Sequence, residues 1–269
     1  MMKLMFAEFK NSMLREFDVT DLGRMSFFLG IEVLQRSDGI YICQRKYALE
    51  VLKRFRMENN NSVHNPIFPG CKSFKDENGA RVDETQFKQM VGCLMYITAT
   101  RPDFMFAVSL ISRYMAKPTE LHLMAAKRIL RYFKGTIGLG VFYKKRGREG
   151  LIAYVDSNYV GDIEDMKTTS GFVFILGYGA LAWSSRKKTI VTLSTIEAKF
   201  VVAATCASQA VWMKRIIEKL NPEEIEFLSR GFNAHAVEGH YSEAYASTDE
   251  PIPVPVVPQF APGAPEELP

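Results

Sequence analysis

LIAYVDS, residues 151–157, contains the carboxylate of Asp156 and belongs to a series of short runs rich in Val, Ile, Phe and Tyr. Four further runs share this composition: LGVFY (139–143), SGFVFILG (170–177), ALAWSS (180–185) and TIVTLS (189–194). Gly, Ser and Asp separate the runs, a pattern that predicts β-strands. A long helix is predicted next, from about residue 195 to 220. Asp156 therefore lies at the end of a predicted strand.

Upstream of these strands, helical spacing dominates. Residues 3–17 place apolar side chains near one face, which predicts an amphipathic helix. Residues 25–44 hold two apolar runs joined at Ser37-Asp38-Gly39, and Asp-Gly predicts a tight hairpin turn. Four more helices are predicted: about ten residues around 47–55, one capped by Asp83 and ending before Arg101-Pro102, about 103–115, and about 119–134.

The composition is that of a globular protein, with 47% hydrophobic and 24% charged residues and a formal charge of +4. Positive charge is concentrated between residues 101 and 148. The four cysteines form no CxxC pair, and the four histidines have no zinc-site spacing. We find neither a signal peptide nor an apolar run long enough to span a membrane. An intracellular chain, cytoplasmic or nuclear, is therefore expected.

The predicted helix over 119–134 has one apolar and one basic side. Its basic side carries Lys127, Arg128, Arg131 and Lys134. These side chains are expected to face solvent or the phosphates of a nucleic acid. His122, near the start of this helix, is expected to cap it or to contact the loop before it. Trp183 and Trp212 are expected to be core or partly buried packing residues rather than platforms for base stacking.

Several stretches together resemble the consecutive landmarks of copia-type long-terminal-repeat retrotransposon polyproteins. They are MSFFLGIEV (25–33), VGCLMYITATRPDFMFAVSLISRYM (91–115), HLMAAKRILRYFKGT (122–136), AYVDSNYVGD (153–162), KTTSGFVFILG (167–177), AWSSRKKTIVTLSTIEAKF (182–200) and QAVWMKRII (209–217). The resemblance runs from about residue 3 to 220. In these polyproteins, this region is the end of the reverse transcriptase and the start of the RNase H domain.

The resemblance implies an α+β fold in four parts. Residues 1–70 would be a remnant of the reverse transcriptase palm, and residues 71–138 the helical thumb and connection region. Residues 139–220 would be an incomplete RNase H-like mixed α/β domain of about three antiparallel strands and one helix. Residues 221–269 depart from the family and end in a Pro-rich stretch, so we predict a disordered tail.

The resemblance also indicates which catalytic groups are missing. The family's polymerase motif, Tyr-Val-Asp-Asp, does not occur in the sequence. RNase H domains of the family hold two Mg²⁺ ions with four acidic residues, and Asp156 matches the first. The second should be the later Glu of a Glu-Ala-Glu-Tyr motif, but the matching residues are Glu197-Ala198-Lys199-Phe200. Lys199 therefore places a positive charge where a Mg²⁺ ligand is expected.

Other acidic residues do not replace this ligand. Glu197 precedes Lys199 by two residues, about 200° around a helix, and therefore cannot simply take its place. Asp162 and Asp165 match family positions but fall in a predicted turn, and the acids beyond residue 220 lie in unpatterned sequence. We therefore expect a degenerate polyprotein fragment without polymerase or nuclease activity and without bound Mg²⁺. Its ancestral partner would be an RNA–DNA hybrid or a primer-template; neither a membrane nor a defined protein partner is expected.

Three alternatives stay open from the sequence. The chain could be an active Mg²⁺-dependent ribonuclease that uses Glu197 and an acid of the tail. It could be a non-catalytic nucleic-acid-binding module that uses the basic segment 101–148. It could also be a chain that does not fold stably, because both halves have lost partner strands.

Overall fold

The computed structural model describes residues 2–20, 23–67, 76, 78–145, 151–158, 169–187, 194–220 and 233–236. In this part of the chain there are two four-stranded sheets and six α-helices. The helices are α1 (Met2–Glu16), α2 (Arg45–Arg54), α3 (Glu84–Ile97), α4 (Met105–Ile111), α5 (Glu120–Gly135) and α6 (Thr195–Leu220). The strands are β1 (Phe27–Phe28), β2 (Ile31–Gln35), β3 (Gly39–Cys43), β4 (Val141–Lys144), β5 (Leu151–Asn158), β6 (Thr169–Leu176), β7 (Gly179–Lys187) and β8 (Asn233–Ala236).

The first sheet has the strand order β1-β2-β3-β4 and is antiparallel throughout. Its β2–β3 hairpin confirms the turn predicted at Ser37-Asp38-Gly39. The assignment of residues 139–143 to the later, RNase H-like group of strands was wrong, because β4 pairs with β3. Two glycines allow β3 and β4 to approach closely. A Cβ on Gly39 would lie 2.3 Å from the Tyr143 carbonyl oxygen, and a Cβ on Gly140 would lie 2.1 Å from the Ile42 carbonyl oxygen.

Four helices enclose the larger hydrophobic core. Buried side chains of α2, α3, α4 and α5 form one cluster that includes Leu52, Phe87, Leu94, Val108 and Leu130. The predicted caps of two of these helices are confirmed. The Asp83 carboxylate accepts from the Thr85 amide at 2.9 Å, and His122 Nδ1 accepts from the Thr119 amide at 2.9 Å in a capping box.

The helix predicted over 103–115 is divided. Residues Pro102–Phe104 and Ser112–Tyr114 form 3₁₀ turns, and only Met105–Ile111 is α-helical. Pro102 opens the first turn, where the amide hydrogen that proline lacks would have no helical partner.

The second sheet has the order β7-β6-β5-β8, and α6 packs on it. Strands β5, β6 and β7 are antiparallel, as predicted. The prediction that everything after residue 220 is a disordered tail was wrong for Asn233–Ala236, which form β8 and pair parallel to β5. A strand pattern was not visible in Asn-Ala-His-Ala, because the edge of β5 supplies hydrogen bonds that do not depend on side chains. The remaining tail and the predicted strand at 189–193 lie outside the described residues.

Strand β7 joins the two halves of the molecule, since it contacts both α4 and β4. Trp183 Nε1 donates to the Thr98 carbonyl oxygen at 2.8 Å, and the Tyr143 hydroxyl donates to that of Ala180 at 2.9 Å. A third contact is the hydrogen bond from Arg113 Nη2 to Thr169 Oγ1, at 2.7 Å. The second sheet is thus connected to the first sheet and to the helical core by hydrogen bonds from these side chains.

Candidate functional site

Asp156 lies on β5, between β6 and β8, and is half-buried. Alternate residues Leu151, Ala153 and Val155 belong to the apolar cluster that includes Cys206 and Ala210 of α6. Because successive side chains of a strand point to opposite faces, Asp156 lies on the face away from α6. The sequence hypothesis placed Asp156 and an acid of this helix in one site, and this alternation separates them.

The face that carries Asp156 is turned toward the helical core. In the ladder, Asp156 is opposite Gly171, and Gly171 is opposite Ser185 of β7. The Ser185 hydroxyl oxygen lies 3.1 Å from that of Ser109 on α4. The row formed by Asp156, Gly171 and Ser185 is therefore on the face of the sheet that contacts α4, and α6 packs on the other face.

The two candidate residues on α6 occupy different sides of that helix. Its buried side chains form one stripe: Ala198, Val202, Cys206, Ala210 and Met213. At 3.6 residues per turn, Lys199 lies about 40° from the middle of this stripe, whereas Glu197 lies about 160° from it. Lys199 is therefore an exposed residue closer to the middle of the buried stripe, and Glu197 is an exposed residue farther from it.

Glu197 has a position that suits helix stability. Its backbone amide donates to Ser194 Oγ at 3.1 Å, and it is the acidic residue of the first turn of α6. A carboxylate there interacts favourably with the positive end of the helix dipole. Both Glu197 and Lys199 are exposed.

Within the described ranges, the structure brings together no cluster of three or more His, Cys, Asp or Glu side chains that could hold a metal ion. Asp162 and Asp165 lie outside these ranges, as do all the acidic residues beyond residue 220. Of the three sequence-predicted positions, Asp156 belongs to β5, and Glu197 and Lys199 belong to α6.

The basic side of α5 contacts the loop that follows α2. Arg128 Nε donates to the Asn65 carbonyl oxygen at 3.1 Å, Arg131 Nε to that of Asn61 at 2.7 Å, and Lys134 Nζ to that of Asn60 at 2.7 Å. The acceptors of these three hydrogen bonds are uncharged carbonyl oxygens. Burial, and then the positive charge of Arg131, lowers the pKa of Arg128, so the two guanidinium groups lie close enough to repel each other.

Sequence reasoning treated Arg101 only as the end of a helix, but it is the largest fully buried side chain of the described residues. Arg101 Nε and Nη2 donate to the two carboxylate oxygens of Asp103 at 2.8 and 2.7 Å. Its Nη1 donates to the Thr136 carbonyl oxygen, and the Tyr132 hydroxyl donates to Asp103. The spacing Arg-Pro-Asp between two apolar helices was the available signal for this pair.

The charge of Arg101 is kept in place despite its burial. Burial lowers the pKa of Arg101, but the hydrogen bonds and charge of Asp103 outweigh this effect and raise it above the ordinary arginine value. The guanidinium also lies over the ring of Phe104, 5.1 Å from its centroid. Arg101 therefore links the start of α4 to the end of α5.

The prediction of a core or partly buried residue is wrong for Trp212, because 59% of its surface is exposed. It is confirmed for Trp183, which is half-buried in the contact with Thr98. The difference follows from α6, which buries only one side. None of the helices in the described part of the chain has the length and apolar character needed to cross a bilayer.

Comparison with protein families and curated proteins gives a consistent result. Residues 2–69 match the family model described as reverse transcriptase (RNA-dependent DNA polymerase). The chain is 36% identical over 206 residues to the retrovirus-related Pol polyprotein from transposon RE1 of Arabidopsis thaliana. It is 32% identical over 236 residues to that from transposon TNT 1-94 of Nicotiana tabacum. These alignments cover 77% and 84% of this chain.

The matched regions are small parts of these relatives. The chain spans 14% of the RE1 polyprotein and 18% of the TNT 1-94 polyprotein. It also aligns with 81% of an uncharacterized mitochondrial protein of Arabidopsis thaliana, at 31% identity over 73% of this chain. No solved structure matches the chain.

Proposed function

Because this chain belongs to the family of retrovirus-related Pol polyproteins of transposons, we propose that it is a degenerate segment spanning the end of the reverse transcriptase and part of an RNase H-like domain. In this proposal, α1 and the first hairpin are the palm remnant, and the helical core is the thumb and connection region. The second sheet with α6 is the RNase H-like part. The segment carries neither polymerase nor nuclease activity and holds no Mg²⁺ of its own.

The arrangement of charges around β5 and α6 supports the loss of nuclease activity. Two-metal hydrolysis needs carboxylates on both sides of the metal pair. Asp156 supplies one carboxylate, but the residue of α6 at the place of the expected acid is Lys199, and Glu197 lies about 160° from the middle of the buried stripe. A lysine ammonium group repels divalent cations, so this position opposes Mg²⁺ binding.

A cleavage assay tests this proposal directly. The wild-type chain, incubated with Mg²⁺ and a labelled RNA–DNA hybrid, is expected to cleave no faster than Asp156→Ala. Lys199→Glu removes the positive charge and is the informative second variant; with Asp156 on the other face, it is expected to leave cleavage undetectable. Mg²⁺-dependent cleavage by the wild type that disappears in Asp156→Ala would overturn the proposal and favour the residual ribonuclease.

A second candidate is a non-catalytic nucleic-acid-binding module centred on α5. The observation that favours it is the close pair Arg128 and Arg131, which repel each other and are fixed by carbonyl oxygens of the 60–65 loop. Clustered cations held in place reduce the entropy lost on binding an anion. A nucleic acid backbone would relieve this repulsion.

Binding to a fluorescent RNA–DNA hybrid at several salt concentrations tests the module. Lys127 is the best probe, because it is exposed on the basic side of α5. Lys127→Ala is expected to weaken binding and to reduce the salt slope by about one. Lys219→Ala, an exposed lysine of α6, is the matched control and should change neither. Equal effects of the two variants would exclude a binding surface on α5.

A further inference from the structure

Helix α6 has a second apolar stripe, which we call the outer stripe: Phe200, Ala204, Ala207 and Val211. It lies about 150° around the helix from the buried stripe. All four residues are exposed, Phe200 by 71% and Val211 by 52%. A helix that is apolar on both sides is usually covered on both. In the described part of the chain, α6 packs mainly on β5 and β6.

The spacing of the outer stripe is the same in both directions along the helix. Its residues are separated by four, three and four positions, with large side chains outside and alanines at the centre. A surface that pairs with its own copy across a two-fold axis requires this kind of self-complementary pattern. In an antiparallel pair of α6 helices, Phe200 meets Val211 of the second copy. The alanines allow the two backbones to approach closely.

Charge at the edge of the stripe fits the same arrangement. Glu197 and Arg215 lie on the same edge, near opposite ends of α6 and about equally far from the midpoint of the stripe. In the antiparallel pair, Glu197 of one copy is therefore beside Arg215 of the other, at both ends of the contact. A parallel two-fold pair would place Glu197 and Arg215 of different copies at opposite ends of the contact, so this ion pair could not form. We propose that the outer stripe of α6 is a self-association surface through which two copies of this chain form an antiparallel dimer.

Sedimentation equilibrium of the full 269-residue chain tests the dimer. The wild type is expected to show a concentration-dependent monomer–dimer equilibrium. Phe200→Glu places a charge in the stripe and should raise the dimer dissociation constant at least about tenfold. The matched control is Thr205→Glu, an exposed residue about 130° around α6 from the outer stripe, which should leave it unchanged. Circular dichroism checks that each variant keeps its helix content.

A charge exchange tests the antiparallel register. Glu197→Arg and Arg215→Glu should each raise the dissociation constant about two- to fivefold, as for exposed ion pairs. The double variant should return it toward the wild-type value. Singles without effect, or a double variant that adds the two losses, would overturn the register.

Two outcomes would overturn the dimer itself. One is a wild-type chain that remains monomeric at every concentration. The other is a monomer in which Phe200→Glu lowers the free energy of unfolding while Thr205→Glu does not. That second result would assign the stripe to another segment of the same chain.

Discussion

At the scale of single residues, Arg101 contributes more to the fold than its place before a proline suggests. Its guanidinium group is 2% exposed and makes a two-point contact with Asp103, whose side chain is 17% exposed. Removing one partner of such a pair leaves the other desolvated without compensation. Replacing only one residue of this pair is therefore expected to lower the free energy of unfolding strongly.

Arg101→Ala is expected to lower the free energy of unfolding by about 3–5 kcal/mol. Arg101→Lys should recover only part of this loss, because one ammonium group cannot make both hydrogen bonds to Asp103 and those to Thr136. Urea unfolding followed by circular dichroism measures both. Lys88→Ala, which breaks the exposed pair with Glu84, is the control and should cost less than about 0.5 kcal/mol. Equal losses for Arg101→Ala and Lys88→Ala would contradict this role.

Tyr41 gives the protein a specific dependence on alkaline pH. Burial, and then the nearby Cys43, raises its pKa from 10.0 to about 12, and its hydroxyl donates to the Gly138 carbonyl oxygen at 2.5 Å. Below pH 10 the phenol is protonated in both the folded and the unfolded chain, so its contribution is fully present. Between pH 10 and about 12 only the unfolded chain ionises, so stability falls as pH rises.

We expect the free energy of unfolding to decrease from pH 10 upward, and Tyr41→Phe to flatten this decrease. Urea unfolding at pH 9, 10 and 11 measures the slope. Burial also raises the pKa of Tyr143, so part of the slope remains in the variant. An identical slope in wild type and Tyr41→Phe would exclude Tyr41 as its source.

At the scale of elements, Gly179 controls how closely β7 approaches β4. A Cβ at this position would lie 2.8 Å from the Phe142 carbonyl oxygen and 2.6 Å from a ring carbon of Tyr143. A backbone oxygen cannot move aside as a side chain can. Gly179 is thus required for the contact between the two sheets.

Gly179→Ala is expected to lower the free energy of unfolding by about 1–3 kcal/mol through overpacking. Gly92→Ala is the matched control: Gly92 is exposed within α3, and nothing lies within 4 Å of the added methyl group. That control should raise stability by up to about 1 kcal/mol, because alanine favours helix more than glycine does. Thermal unfolding compares the two. A Gly179→Ala protein as stable as wild type would show that β7 and β4 can move apart at this position without loss of stability.

At the scale of the whole molecule, the contacts of β7 predict that both sheets unfold together. Trp183, Tyr143 and Arg113 connect the second sheet to three elements of the other half. In a Trp212→Phe variant, Trp183 is the single tryptophan. Its fluorescence and the far-ultraviolet circular dichroism should then give coincident urea transitions.

Separate transitions would show that the halves fold independently and that the hydrogen bond from Trp183 to Thr98 does not couple them. A gradual change without any cooperative transition would favour a chain that does not fold stably. Trp212→Phe itself should leave the transition midpoint near that of the wild type, because Trp212 is exposed.

The sequence by itself determined the elements and the family. The β2–β3 hairpin, the Asp83 cap, the basic side of α5 and the long α6 follow from local patterns, because each depends on residues within a few positions of one another. Lys199 in the place of an expected acid was likewise visible without a structure.

Only the tertiary structure decided which strands and side chains meet. It moved β4 to the first sheet, added β8 beside β5, buried Arg101 against Asp103, and placed Asp156 on the face away from α6. These outcomes depend on backbone hydrogen bonds and packing between segments that are distant in sequence. Such contacts leave no periodic signal in either partner, since a sheet edge accepts any strand whose backbone can reach it.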